Sequence, residues 1–339
     1  MTSSILPRLV EQFPELHWQE QADLASHTYM RVGGPAEVLL VIDNLDQMIE
    51  VILFARQENI KTLILGGTSN LVIRDGGVDG LVIINRCSNG EHYMNKAEVQ
   101  SDLALDDSYF EHVPSSAQFL LAESGAPTAM VVDQAIKQNL TGLEPFVGVP
   151  GTLGGAVYNN SHYQTELIGD LVAAVEVLTP EGERRWIHQA ESEFAYDDSR
   201  FQRSGEIILQ VLLFAMPGDP DKITLMVQES DMKRSSTQPL GTPSSGCVFK
   251  NVELTPEQSA KFDGKTNLSA GWLIDQAGLK GARVGGAEVS SVHANFIVNT
   301  GSATSQDIEQ LIAKIQTTVK DKFQIELDKE VFFLGKEQN

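Results

Sequence analysis

At 339 residues the chain can bury a substantial core, and its length alone suggests about two or three domains. With 25 Lys and Arg against 46 Asp and Glu it carries a net charge of −21, which argues against nucleic-acid and anionic-membrane partners. An anionic small substrate stays open, provided a local cluster of cations receives it. The two cysteines, Cys87 and Cys247, exclude a disulfide framework and point to a reducing compartment. The N-terminal segment meets an acidic residue at Glu11 and lacks the apolar run of a signal peptide, and no stretch approaches a membrane span. A cytoplasmic location is expected.

Residues 1–23 carry little periodic signal beyond a short helical stretch, and 24–36 close on a Gly33-Gly34-Pro35 turn. Residues 38–42 read as a strand. Asn44 with Gln47 resembles a capping box, and Leu45, Met48, Ile49, Ile52 and Leu53 at helical spacing predict a helix over 45–57. Short strands follow at 61–65, 71–73 and 81–84. The acidic stretch 87–113 reads as antiparallel strands with solvated loops. Helices are predicted over 117–124 and 130–138, then a hairpin of 171–178 and 184–187 around Pro180-Glu181-Gly182, and a strand over 207–215. The composition changes after Pro217. A helix over 219–234 leads into Ser-, Thr-, Pro- and Gly-rich loops over 235–250, a short helix at 271–278 and a strand at 294–298. Thr304 or Ser305 then caps an amphipathic helix with Ile308, Leu311, Ile312, Ile315 and Val319 on one face. The order is α+β, divided as 1–90, 91–215 and 216–339.

Two glycine loops stand out. Residues 142–163 read GLEPFVGVPGTLGGAVYNNSHY, with five glycines among apolar residues. Gly66-Gly67-Thr68-Ser69-Asn70 follows directly on an apolar run. Glycine lets a ligand approach the backbone and can expose successive N–H groups to phosphate. The spacing matches neither a dinucleotide fingerprint nor a P-loop. Glycines alone more often make a tight turn, but two strand-to-glycine-loop units suit an extended pyrophosphate such as that of FAD.

These segments resemble the UDP-N-acetylenolpyruvoylglucosamine reductase family, from about Leu24 to Gly335. The resemblance implies two N-terminal subdomains of vanillyl-alcohol-oxidase-like type that clamp FAD, followed by a C-terminal α+β substrate domain. It implies NADPH as reductant and a UDP-sugar as substrate, in peptidoglycan precursor synthesis; with no protein partner readable, a monomer is expected. Cofactor positions implied are Arg31, Gly33, Gly34, Gly66, Gly67, Thr68, Ser69, Asn70, Gly148, Pro150, Gly151, Thr152, Gly154, Gly155 and Ala156. Related folds attach flavin through a histidine in the first glycine loop; Thr68 stands there, so non-covalent FAD is expected.

Cys247 lies in Ser244-Ser245-Gly246-Cys247-Val248-Phe249-Lys250-Asn251. A lone cysteine is more often inert packing, although a neighbouring lysine and a glycine-bounded loop favour an accessible thiol. By resemblance Cys247 is the proton donor, Glu330 is part of the active site, and Lys250 and Asn251 hold substrate. Tyr196 and Ser199 match a further substrate segment. There the family has an arginine where this chain has Asp197, and a second basic position is Phe332. Arg200 is the residue expected to supply the missing charge, from a bulge or turn at Asp197-Asp198, with Asp197 pairing to its guanidinium. His162 is read as structural. The rival readings are a paralogue acting on another small substrate and a flavin-binding protein that has lost catalysis. No cluster has metal-ligand spacing.

Overall fold

The computed structural model describes residues 4–89, 92–163 and 165–337. The chain forms two compact units that are not collinear with the sequence. The first comprises Met1–Trp18, Leu40–Gly67 and Val82–Arg234; the second comprises Gln19–Leu39, Thr68–Leu81 and Ser235–Asn339.

The first unit is built on an antiparallel sheet ordered Arg184–His188, Val172–Leu178, Ile207–Pro217, Gln118–Glu123 and His92–Met94. All seven residues of Val172–Leu178 are buried, because the sheet is covered on both faces. Successive side chains of a strand point to opposite faces. Leu120, Ala122, Val211, Leu213 and Ala215 accordingly enter one core, with Val131, Val132 and Ala135 of the helix Thr128–Lys137. Phe119, Leu121, Leu212 and Phe214 enter the other, with Val99, Leu105 and Phe110. Burying each such side chain contributes about 1.5–3 kcal/mol. The helix Leu45–Gln57 forms as expected, and Asn44 accepts the N–H of Gln47 at 2.9 Å.

Two expectations fail here. Residues 117–124 are not a helix: Gln118–Glu123 is a strand beside Ile207–Pro217. A short apolar run buried on both faces has no period to separate strand from helix. The stretch 87–113 holds one described strand, His92–Met94, and then the helix Lys96–Asp102, whose capping box is made by Asn95 and Glu98. Its apolar contribution is the single buried Val99, too little to show a helical period.

The second unit centres on an antiparallel sheet ordered Ser244–Cys247, Phe296–Asn299, Ala287–Val289 and Arg283–Val284. The helix Ser305–Phe323 lays Ile308, Leu311, Ile312, Ile315 and Val319 into its core, and Thr304 and Asp307 complete a capping box at its start. Met30, Val32 and Val72 share that core with residues after 248. Phe332–Leu334 pairs in parallel with Leu71–Ile73. Residues 235–250 are more regular than loops, since the helix Pro220–Thr237 runs on to 237 and Ser244–Cys247 is a strand.

Candidate active site

In the first unit, residues 151–154 run back against the turn between the strand Gln118–Glu123 and the helix Thr128–Lys137. Thr128 donates its N–H to the Gly151 carbonyl at 3.1 Å, Leu153 to Ala126 at 2.8 Å and Gly154 to Ser124 at 2.8 Å. The first glycine loop closes on the same place. A Cβ on Gly67 would lie 2.3 Å from the Gly151 Cα, and one on Gly66 would lie 2.2 Å from the Thr152 Oγ1. Gly151 has φ +114° and Gly148 +70°, values that favour glycine. Gly148, Pro150 and Gly155 are exposed, whereas Ala156 packs into the core.

The hydroxyls of Thr128 and Thr152 are buried and make no hydrogen bond among the described residues. An unpaired buried hydroxyl costs about 1–3 kcal/mol, so a ligand that hydrogen-bonds to them would offset that cost. Thr152 also begins the helix Leu153–Tyr158 without using its side chain as a cap. Unspent hydroxyls beside a backbone that admits no Cβ fit the pyrophosphate of FAD. Thr128 was missed in the sequence because the strand before it was read as helix. Arg234 adds a buried cation next to this segment: its Cδ lies 3.3 Å from where a Gly148 Cβ would sit, and its guanidinium lies 4.6 Å from the Tyr163 ring centroid. Burial pulls that guanidinium below its ordinary value, with Tyr163 and Asp231 opposing.

The turn carrying Tyr196 is stapled to the end of the helix Leu153–Tyr158. Ser199 is fully buried and donates its hydroxyl to the Tyr158 carbonyl at 2.7 Å, and Gln202 donates to the same carbonyl at 3.1 Å. The expected turn is present, with Ala195 bridged to Asp198 and Asp197 at φ +52°. Its pairing differs. Asp197 Oδ1 lies 3.0 Å from His162 Nδ1 instead of on Arg200, and the Tyr196 hydroxyl lies 3.3 Å from His162 Nε2. Arg200 grips Glu206 with two hydrogen bonds of 3.0 and 3.1 Å and also donates to the Glu191 carbonyl. Burial acts to raise the Glu206 carboxyl, but hydrogen bonds from Arg185 and Ser204 and the Arg200 charge bring it below its ordinary value.

The second unit gathers the remaining candidates. Glu330 donates its N–H to the Val248 carbonyl at 2.8 Å, Lys250 donates to Asp328 at 2.9 Å, and Phe249 is bridged to Lys329. Cys247 and Glu330 are therefore on adjacent segments, and both are partly exposed. The end of the first glycine loop joins them. The Asn70 side chain donates to the Glu330 carbonyl at 3.5 Å, Phe332 donates its N–H to the Asn70 carbonyl, and Ser69 O lies 3.8 Å from where a Gly246 Cβ would sit. Asn251 accepts the N–H of Ala270, at the start of the helix Ala270–Gln276.

Thr68, at φ +58°, donates to the His27 carbonyl and accepts the N–H of Tyr29. Arg31, also left-handed at +54°, is exposed. Gly33 and Gly34 permit close approach to 73–75: their Cβ atoms would lie 3.0 Å from the Ile73 Cβ and 2.1 Å from the Asp75 carbonyl. A cleft of about 370 Å³ in this unit is lined by Gln238, Pro239, Thr242 and Ser290 among others. Among the described residues no group of His, Cys, Asp and Glu could hold a metal ion.

Residues 36–188 match a family model described as an FAD binding domain, which defines the chain as an FAD-binding protein of α+β class. Residues 238–334 match the C-terminal domain of UDP-N-acetylenolpyruvoylglucosamine reductase. The chain is 33% identical to the UDP-N-acetylenolpyruvoylglucosamine reductase of Pediococcus pentosaceus over 97% of this chain and 98% of that one. It is 36% identical to the enzyme of the same name from Nostoc punctiforme, covering 94% and 87%. The solved reductase of Thermus caldophilus superposes with a TM-score of 0.70 at 28% identity, over 95% of this chain and 99% of that one. The chain belongs to the UDP-N-acetylenolpyruvoylglucosamine reductase family.

Proposed function

We infer that the chain is an FAD-dependent oxidoreductase that reduces UDP-N-acetylglucosamine-enolpyruvate to UDP-N-acetylmuramate with NADPH, a step of peptidoglycan precursor synthesis. The observation that carries the reading is the junction of Asn70, Val248 and Glu330, which holds Cys247 and Glu330 on adjacent segments. FAD, when bound, would supply the hydride chemistry that links NADPH to C3 of the enolpyruvyl group.

The protein binds, orients and moves the proton. Gly66, Gly67 and 148–155 receive the pyrophosphate, with the hydroxyls of Thr128 and Thr152. The thiol of Cys247 delivers a proton to C2 as general acid, and Glu330 stabilises the enolate on which that proton arrives. Lys250, Asn251 and Tyr196 hold the substrate. Ser199 serves this by fixing the turn. FAD is held without a covalent bond, because Thr68 offers no attachment histidine and its hydroxyl is spent on His27 and Tyr29.

The enzyme works as a cytoplasmic monomer. Supporting the location, both cysteines are free thiols, which suits a reducing compartment. The test is anaerobic reduction of the bound flavin by NADPH, followed by addition of the enolpyruvyl substrate. Return of the oxidised flavin spectrum is expected, and a flavin that stays reduced rejects the reading.

A further inference from the structure

Asn85 and Ser124 form a buried pair in the first unit, 4% and 3% exposed, against the second glycine loop. Asn85 ends the strand Val78–Asn85, and Ser124 follows the strand Gln118–Glu123. The Asn85 side chain reaches both ways: its Oδ1 accepts the Cys87 N–H at 2.9 Å, and its Nδ2 donates to the Ser124 hydroxyl oxygen at 2.9 Å. Gly125 leaves room for this, since a Cβ there would lie 2.4 Å from Asn85 Oδ1. Ser124 in turn touches the loop. Its carbonyl accepts the Gly154 N–H at 2.8 Å, and a Cβ on Gly154 would lie 2.7 Å from the Ser124 Cβ. The hydroxyls of Thr128 and Thr152, buried and without hydrogen bonds among the described residues, belong to the same crossing of 124–128 with 151–154.

We propose that Ser124 is a third hydroxyl donor to the FAD diphosphate, beside Thr128 and Thr152, and that Asn85 is a positioning residue that turns its hydrogen toward the cofactor. A carboxamide NH₂ can only donate, and the bond from the Cys87 N–H fixes which end of Asn85 faces Ser124. The Ser124 oxygen therefore accepts, and its own hydrogen points away from Asn85. None of the described residues accepts that hydrogen. A buried O–H without an acceptor is costly, and buried polar groups as a rule find partners. Diphosphate oxygens at neutral pH only accept, so they match a hydroxyl whose lone pair is already taken by an amide. The inference rests on the reading that 148–155 receive the pyrophosphate.

The experiment is equilibrium dialysis of FAD from the full-length holoprotein, with ³¹P NMR of the bound diphosphate. Ser124→Ala should raise the FAD Kd about tenfold or more, the loss of a hydrogen bond to a charged group, and should shift a diphosphate resonance. In Asn85→Asp the carboxylate accepts from both Cys87 and Ser124, so it should reverse the hydroxyl and raise the Kd likewise. That substitution should cost less in the Ser124→Ala background than in the wild type, because the hydroxyl it acts through is gone. A wild-type Kd in Ser124→Ala, a raised Kd with unmoved phosphorus resonances, or strictly additive losses would overturn the proposal. Thr152→Val separates this from the placement of the pyrophosphate. If that variant too keeps the wild-type Kd and spectrum, the placement itself fails; if it weakens FAD while Ser124→Ala does not, only the Ser124 assignment fails.

Discussion

Glu330 reaches Val248, the neighbour of Cys247, through a backbone hydrogen bond of 2.8 Å. Two segments far apart in the chain are thereby locked in register. A proton donor and an acid that steadies the developing charge need fixed separation more than they need contact with each other. A backbone bond supplies that without occupying either side chain.

Cys247→Ala should leave flavin reduction by NADPH close to the wild-type rate and slow reoxidation by substrate at least about a hundredfold, the usual scale of general acid catalysis. Cys247→Ser should recover part of the rate, since a hydroxyl can also carry the proton. Stopped-flow absorbance separates the two half-reactions. Unchanged reoxidation in the alanine variant would remove Cys247 from the mechanism.

The close approach of the glycine loops predicts loss of flavin from a single methyl group. In Gly67→Ala the new Cβ would meet the Gly151 backbone at 2.3 Å, a contact that no side-chain rotation relieves. The variant should purify with substoichiometric FAD, whereas Gly155→Ala, with its nearest neighbour at 3.5 Å, should keep most of it. In the wild type, denaturation should release the flavin and leave a colourless polypeptide. Flavin that stays with the precipitate would mean a covalent link.

Arg200 is expected to act on stability. Its fork is engaged by Glu206, which is 3% exposed and also receives Arg185. Glu206→Gln should cost about 2 kcal/mol in urea unfolding at pH 7, with much of the effect in the buried charge pair. The folded Glu206 carboxyl is held below its ordinary value, so its stabilisation is present above the unfolded value of about 4.3 and is lost as pH falls through the folded value. The deficit of Glu206→Gln should therefore shrink in acid. A deficit that is the same at pH 7 and in strong acid would contradict the ion-pair account.

The two thiols should differ in reactivity. Cys87 is fully buried, and burial, with Glu123 and Asp43 nearby, pushes it up to about 12, while Cys247 is partly exposed. Iodoacetamide at pH 8 should label the native protein at Cys247 and spare Cys87, as peptide mass spectrometry would record. Labelling of Cys87 in the folded protein would contradict its buried setting.

The helices Leu45–Gln57 and Ser305–Phe323 were legible because each shows an apolar stripe with a capping residue ahead of it, Asn44 for the first and Thr304 for the second. The strand Gln118–Glu123 was not, since Phe119, Leu120, Leu121 and Ala122 are all buried and leave no alternation to read. At the site, the pairing of glycine loops followed from composition, but Cys247 and Glu330 were reached through family motifs. The His162–Asp197 contact had no local signal: it depends on a left-handed residue in one turn meeting a short hairpin of His162–Tyr163 and Glu166–Leu167. Arg200 was aimed at a substrate because Glu206, its partner, lies beyond the motif that drew attention to it.

The central claim is that this chain couples NADPH oxidation to reduction of an enolpyruvyl nucleotide sugar. The most direct measurement follows NADPH absorbance anaerobically with the purified flavoprotein, with and without UDP-N-acetylglucosamine-enolpyruvate, and identifies the product by mass. One NADPH should be consumed for each substrate, and the sugar nucleotide should gain the mass of two hydrogens. Flavin-replete protein that oxidises NADPH no faster with the substrate than without it, and returns that substrate unchanged, would contradict the account.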